Sequence, residues 1–116
     1  VTDAICKHVG LVIDSPVEPL EAAVLWDADK LSKMGATASL HFIGYRLMDI
    51  EAPPDFSTMP TTTEYLVNCL ADQPWQAEAL ACLHTPAARA AGRLRLETYR
   101  AFWEQARREY LGDDLG

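Results

Sequence analysis

Apolar residues recur along this chain at spacings of three and four positions, and no long stretch alternates apolar with polar residues. Leu40, Ile43 and Leu47, for example, fall on one face of a helix. The pattern therefore predicts an all-α fold in a single domain over residues 1–116. The expected long helices cover about residues 19–34, 37–49, 62–70, 74–83 and 86–111. A shorter helical end over residues 2–9 precedes them.

Prolines and glycines mark where the predicted helices begin and end. Pro19 suits the first turn of one helix, with Glu18 or Ser15 as its cap. Gly35 is a natural C-terminal stop for that helix. Residues 51–61 contain three prolines, which interrupt regular structure, so this stretch is predicted to be a loop within the domain. Thr62 or Thr63 would then cap the helix that follows.

The last predicted helix has the clearest boundaries. Thr85 is a suitable cap, Pro86 suits the first turn, and Gly112 ends the helix. Its charged residues predict a solvated face on which Glu104 pairs with Arg108 at a spacing of four. The apolar positions expected to enter the core are Leu96, Tyr99, Phe102, Trp103, Ala106 and Tyr110.

Two arginines near the start of the last helix allow a second interpretation of its charged face. Arg89 and Arg93 follow Thr85 within about two turns. A guanidinium group at that end of a helix can reach toward a phosphate group. Arg89 and Arg93 are therefore candidates for contact with a substrate phosphate, although an ordinary solvated face is the favoured interpretation of them.

Composition limits the classes of partner. The chain carries 10 basic and 17 acidic residues, for a formal net charge of -7, which disfavours binding to a nucleic-acid duplex or an anionic membrane. No apolar run is long enough to span a bilayer. Cys6, Cys69 and Cys82 form no C-x-x-C pair and are expected to be reduced thiols packed among apolar residues of a cytoplasmic protein.

Asp27 and Asp29 are the most informative residues of the chain. Both lie within the otherwise apolar helical run that begins at Ala22 and ends at Leu31. An ionised carboxylate removed from water is unfavourable unless something positive meets it. A metal ion, Lys30, an arginine or a helix N-terminus could each do so. Candidate chemistry is therefore expected here, and Asp29 is expected on the inward face of its helix.

The segments around these carboxylates resemble a known family. Residues 4–8 read A-I-C-K-H, residues 21–31 read E-A-A-V-L-W-D-A-D-K-L, and Gly35 and Ala36 follow. This order is similar to the second half of the HD-superfamily metal-dependent phosphohydrolases, where A-I-x-x-H precedes E-A-x-x-x-x-D-A-D-K/R-L-x-x-x-G-A. Residues 83–93, L-H-T-P-A-A-R-A-A-G-R, also resemble the last helix of that family. The resemblance implies an HD-domain-like helical bundle.

The same resemblance implies roles for individual residues. Asp29 matches the family's last metal-binding aspartate. Asp27 would hydrogen-bond to groups around the metal and orient the site without binding the metal itself. His8 and Lys30 would contact phosphate or transfer a proton. The implied reaction is hydrolysis of a phosphate ester or nucleotide by metal-activated water, with Mn, Mg, Fe, Co, Ni or Zn as the divalent ion. Arg46 would substitute for an arginine that many members carry near the position of His41.

The chain departs from the family pattern at the remaining metal ligands. No histidine is followed by aspartate, and the earlier family histidine is missing. A divalent ion needs four to six ligands, whereas Asp29 with His8 or Asp27 supplies at most three. The chain is therefore expected to be the C-terminal part of the domain, incomplete at its N-terminus. It should bind metal weakly and show no appreciable activity alone.

The alternative is a helical remnant without catalysis that binds a partner or assembles with itself. Apolar residues near the start of the chain would be exposed if helices of the family domain preceded them, which predicts a homo-oligomer packed through this segment. These residues are Ile5, Val9, Leu11, Val12 and Ile13.

Overall fold

The structure is a computed structural model that describes residues 13, 15–48, 57, 59–71 and 74–116. Its helices are α1 (Leu20–Leu31), α2 (Gly35–Leu47), α3 (Met59–Leu70), α4 (Pro74–Ala81) and α5 (Pro86–Leu111), and a 3₁₀ turn at Asp113–Leu115 follows α5. The described residues contain no β-strand, which confirms the all-α class. The predicted helical end over residues 2–9, and most of the proline-rich stretch over residues 51–61, lie outside the described residues.

The long helix α5 organises the fold, because α1, α2, α3 and α4 all pack against it. Its inward face places Tyr99 and Trp103 in a core with Leu70 of α3. Both aromatic residues also satisfy their polar atoms there. The Tyr99 hydroxyl donates to the Leu70 carbonyl at 2.7 Å, and the Trp103 indole N–H donates to Ser39 Oγ at 3.2 Å. These bonds fix α5 to α3 and α2.

Both ends of α5 agree with the sequence prediction. Thr85 is the N-cap, and its Oγ1 accepts the N–H of Ala88 at 3.1 Å. Pro86 occupies the first turn. Gly112 takes the left-handed conformation with φ 77°, and its N–H donates to carbonyls of the last turn. Local sequence therefore accounts for where this helix begins and where it ends.

The boundary between α1 and α2 differs from the prediction. α1 ends at Leu31, and Gly35 begins α2 instead of stopping α1. Turn hydrogen bonds close the end of α1, including one from the Met34 N–H to the Leu31 carbonyl at 3.1 Å, and Arg95 Nη1 on α5 donates to the same carbonyl at 2.6 Å. Gly35 has φ 82°, and a Cβ there would lie 2.9 Å from Arg95 Cβ, so only glycine lets the arginine stem pass.

Two predicted helix starts are also wrong. At α1, Pro19 itself occupies the N-cap position, so neither Glu18 nor Ser15 is the N-cap residue. α3 begins at Met59, before the predicted threonine caps. The reason at α3 is Pro60, which is compatible with a first helical turn because its missing N–H would be unpaired there in any case.

Some predicted core positions of α5 are exposed. Leu96, Tyr99 and Trp103 are buried, but Phe102 is 49% exposed and Tyr110 is 39% exposed. Phe102 packs its ring edge-on against Trp103 at a centroid distance of 5.0 Å instead of entering the core. The apolar stripe of α5 is therefore narrower than its composition suggests. The pairing on its charged face also differs, since Glu104 pairs with Arg107, not with Arg108.

The structure bears on the predictions about cysteines, membrane spans and assembly only where the residues concerned are described. Among the described residues, Cys69 and Cys82 are half-buried and are not joined in a disulfide, while Cys6 lies outside the described residues. None of the described helices is long and apolar enough to cross a bilayer. Of the apolar residues predicted to mediate assembly, only Ile13 is described, and it is half-buried.

Candidate functional site

The buried Asp27 carboxylate joins α1 to the start of α5. Oδ1 accepts the backbone N–H of His84 at 2.8 Å, and Oδ2 accepts the backbone N–H of Thr85 at 2.8 Å. Thr85 is the N-cap of α5, so the carboxylate lies at the positive end of a 26-residue helix. Of the positive partners expected for a buried carboxylate, Asp27 therefore has the N-terminus of a helix.

These bonds determine the ionisation of Asp27. Burial raises the pKa of Asp27, but the hydrogen bonds from His84 and Thr85 outweigh it and hold the pKa below its usual value. Asp27 therefore remains ionised in the folded protein at neutral pH. Its contribution to stability is present above the unfolded pKa of about 4 and is lost as pH falls through the lower folded pKa.

His84 completes this connection, and the sequence analysis did not identify it. Its Nδ1 lies 3.1 Å from Asp27 Oδ1, and its Nε2 accepts the backbone N–H of Val17 at 2.8 Å. Because Nε2 accepts a hydrogen bond, the ring proton belongs on Nδ1, which donates to Asp27. The ring also meets Trp26 edge-on at 6.5 Å. The signal in the sequence was a histidine directly before the Thr-Pro helix start.

Asp29 meets a different positive partner. Its Oδ2 accepts from Lys30 Nζ at 2.6 Å and from Lys33 Nζ at 2.7 Å. Burial raises the pKa of Asp29, whereas the hydrogen bonds and charges of the two lysines lower it, and the result is a pKa below the usual value. The Asp29 side chain is 28% exposed, whereas Asp27 and Lys30 are buried. Asp29 therefore lies at the edge of the inward face of α1, and Asp27 and Lys30 lie within it.

Lys30 is a buried cation with two interactions that compensate its burial. The residue is only 1% exposed. Its Nζ contacts the Asp29 carboxylate and lies 4.2 Å from the centroid of the Trp26 ring, one helical turn earlier. The Lys30 ammonium is therefore held between a buried aromatic ring and a carboxylate that is 28% exposed. Contact between Lys30 and a substrate phosphate stays a prediction.

The remaining predicted site residues are spread over the fold. His8 lies outside the described residues. Arg46 is half-buried near the end of α2, and Arg93 is exposed on α5. Arg89 is exposed, and its Nε donates to the Leu83 carbonyl at 2.9 Å. Arg89 and His84 line one pocket of about 180 Å³ beside the α4–α5 turn. The described geometry thus associates Arg89, but not Arg46 or Arg93, with the Asp27–His84 pair.

The family resemblance implies a divalent metal ion, which needs several ligand side chains close together. Within the described ranges, no three His, Cys, Asp or Glu side chains are grouped so that they could hold a metal ion. Asp29 also has two ammonium groups on a single oxygen, and these would repel a cation placed there. The described residues alone therefore do not fit a metal centre. Any such centre needs ligands from elsewhere.

Comparison with known proteins gives no further identification: no family model, curated protein or solved structure matches the chain. The similarity to HD-superfamily phosphohydrolases therefore depends on the sequence segments alone.

Proposed function

We propose that this chain is the C-terminal part of a metal-dependent phosphohydrolase domain that acts on a phosphate ester or nucleotide. Asp29 would be its one contribution to the metal, and the other ligands would come from outside the described residues. The chain alone would then have no appreciable hydrolytic activity, since one carboxylate does not satisfy a divalent ion.

The observation that carries the proposal is the difference between the two carboxylates of α1. Asp27 is fully buried, and both of its oxygens accept backbone hydrogen bonds at the start of α5. Asp29 is partly exposed, and the partners described for it are the side chains of the buried Lys30 and the more exposed Lys33. The carboxylate that the family pattern expects to bind metal is thus the one that makes no described backbone hydrogen bond and has one partner, Lys33, that can move into solvent.

The other residues of the cluster would position Asp29. The Asp27 bonds hold α1 against α5, and Arg95 satisfies the C-terminal end of α1 just after Asp29. Lys33 is 37% exposed and can turn toward solvent when a cation replaces it. Lys30 is buried, so its ammonium would remain nearby and weaken the affinity of a divalent ion. This charge is a physical reason to expect weak binding by the isolated chain.

Paramagnetic Mn²⁺ provides a direct test on the 116-residue chain. We expect millimolar rather than submicromolar affinity, and we expect the amide signals of α1 around Asp29 to broaden first in NMR spectra. Asp29→Asn should remove that local broadening. The matched control is Asp113→Asn, which changes an exposed carboxylate in the 3₁₀ turn and should leave the α1 broadening intact.

Two results would count against the assignment. One is Mn²⁺ broadening confined to the acidic C-terminal residues, with no effect on α1. The other is broadening around α1 that persists in Asp29→Asn. Either result would mean that Asp29 is not the residue through which this chain contacts a divalent ion.

A non-catalytic assembly module is the second candidate function, and one observation favours it. Apolar side chains are exposed on two adjacent helices: Leu40 of α2 is 74% exposed, Met48 directly after α2 is 84% exposed, and Leu94 of α5 is 66% exposed. A groove between the start of α2 and α5 is lined in part by Thr37 and Leu94. Exposed apolar surface of this kind is common at protein interfaces.

Light scattering at micromolar concentration distinguishes this second candidate. Self-assembly through these helices predicts a dimer or larger species that Leu94→Glu dissociates. Leu115→Glu is the matched control, because Leu115 is equally apolar and 88% exposed but lies at the C-terminal 3₁₀ turn. A wild-type chain that remains monomeric, or an oligomer unchanged by Leu94→Glu, would exclude assembly through this face.

A further inference from the structure

We propose that His84 is a pH-sensitive latch that holds the segment before α1 while its ring is neutral and releases it when the ring is protonated. The proposal depends on the geometry around one imidazole and is independent of the proposed phosphohydrolase function. The latched segment is the stretch over residues 15–19 that leads into α1.

The two ring nitrogens of His84 have opposite roles. Nε2 lies 2.8 Å from the Val17 nitrogen and must offer a lone pair to that N–H. Nδ1 lies 3.1 Å from an Asp27 oxygen that also accepts the backbone N–H of His84. Both contacts are satisfied only by the neutral ring with its proton on Nδ1. Protonation adds a hydrogen to Nε2, so two donors then face each other at Val17.

The charges around the ring determine which contact survives protonation. Asp27 from α1 faces Nδ1, is ionised, and attracts the imidazolium. Arg89 from α5 lines the same pocket and opposes the added positive charge. Lys30 Nζ lies 4.2 Å from the centroid of the Trp26 ring, and His84 packs edge-on against that same ring. Cys82, in the turn between α4 and α5, is the other titratable group of the pocket. The Asp27 contact therefore strengthens on protonation, whereas the Val17 contact is lost.

Loss of the Val17 bond would leave the Pro19 carbonyl attached to the N–H groups of Ala22 and Ala23 at 3.0 and 3.1 Å, and weaker contacts on the part of the segment before Val17. Beside it, Ile13 N–H lies 3.5 Å from Cys82 Sγ, and Cys82 Sγ lies 3.7 Å from the Ile13 carbonyl. Sulfur is a weak hydrogen-bond partner. Ser15 and Pro16 between these two attachments are exposed. Because α1 remains attached to α5 through Asp27, protonation should free the segment without unfolding the helices.

The first measurement is the protonation state of the ring in the ¹⁵N-labelled chain. Long-range ¹H–¹⁵N spectra at pH 8 should show the proton on Nδ1 and an unprotonated Nε2. As the pH is lowered and the ring gains its second proton, the ring signals and the Val17 amide signal should move together. The amide signal of Thr85, which is bonded to the other oxygen of Asp27, should move less than that of Val17.

Hydrogen exchange gives the expected size of the effect. After correction for the intrinsic pH dependence of exchange, protection of the Val17 amide should fall about fivefold when the ring is protonated, as expected for loss of one hydrogen bond worth about 1 kcal/mol. Protection of the Thr85 amide should change by less than about twofold, since its carboxylate partner remains in place.

Two histidine variants complete the test. In His84→Gln, the amide can donate to Asp27 and accept from Val17 without titrating, so the pH-dependent change at Val17 should disappear. His41→Gln is the matched control, because His41 is exposed on α2, and it should keep the wild-type change. A proton on Nε2 at pH 8, Val17 protection that is unchanged when the ring is protonated, or a Val17 transition that persists in His84→Gln would each overturn the proposal. The first two results need only the wild-type chain, so they decide even if the variant does not fold.

Discussion

Replacement of Asp27 by asparagine tests how strongly one carboxylate holds α1 to α5. The carboxylate accepts backbone hydrogen bonds on both oxygens, from His84 and from Thr85. Asparagine keeps one acceptor oxygen but presents an NH₂ group to the other backbone N–H, so one charge-assisted bond is lost and a buried donor is left unpaired. These two effects are worth about 1.5–2 and 1–2 kcal/mol, which gives a loss of about 3 kcal/mol in the free energy of unfolding.

Urea denaturation followed by circular dichroism measures this loss. A domain of this size has a stability of about 5–15 kcal/mol, so the shift in midpoint should be large and the slope should stay unchanged. Glu104→Gln is the control, since it removes an exposed carboxylate paired with Arg107 and should cost less than about 0.5 kcal/mol. If Asp27→Asn costs no more than Glu104→Gln, the carboxylate does not hold the two helices together.

The same variant has a defined pH dependence. The folded pKa of Asp27 is lowered, so its contribution to stability is present above the unfolded pKa of about 4 and is lost below it. The stability difference between the wild type and Asp27→Asn should therefore persist from neutral pH to about pH 5 and narrow as the pH falls below about 4. A difference that widens on acidification below pH 4 would contradict the assigned ionisation.

Two further changes test the packing around α5. Gly35→Ala should lower the free energy of unfolding by about 2 kcal/mol in urea denaturation, because the left-handed backbone and the 2.9 Å approach to Arg95 Cβ both oppose a side chain; a neutral result would show that the α1–α2 turn can adapt. Tyr99→Phe should cost about 1 kcal/mol by removing the donor to the Leu70 carbonyl. Burial raises the pKa of Tyr99 to about 12, so an absorbance titration at 295 nm should lose a late-ionising phenol in this variant, and an unchanged titration curve would contradict that assignment.

The predictions from sequence were correct where the structure depends on residues that are adjacent in the sequence. The start of α5 at Thr85 and Pro86, and its end at Gly112, follow from local capping chemistry. The prediction for Gly35 was wrong, because α1 ends four residues earlier, where the Leu31 carbonyl accepts the Met34 N–H and also Arg95, a residue 64 positions later in the sequence. Exposure of Phe102 was also missed, since helical periodicity does not show how wide a face the neighbouring helices cover.

The candidate site shows the same division. A carboxylate in an apolar helix needs a positive partner, which predicted such partners for Asp27 and Asp29. Both have them in the structure. Which partner each one takes depended on the tertiary fold. His84 is 57 residues from Asp27 and becomes its neighbour only because α1 packs at the start of α5. Spacing in the sequence does not show that contact.

The most direct test of the proposed function compares metal-dependent hydrolysis by this chain and by the full-length product of its gene. Phosphate monoesters and nucleoside monophosphates are suitable substrates, with Mn²⁺ and Mg²⁺ supplied separately. The proposal predicts no appreciable turnover by the 116 residues alone, turnover by a longer product that supplies the missing ligands, and loss of that turnover in Asp29→Asn with the fold intact. Metal-dependent turnover that survives Asp29→Asn would contradict it.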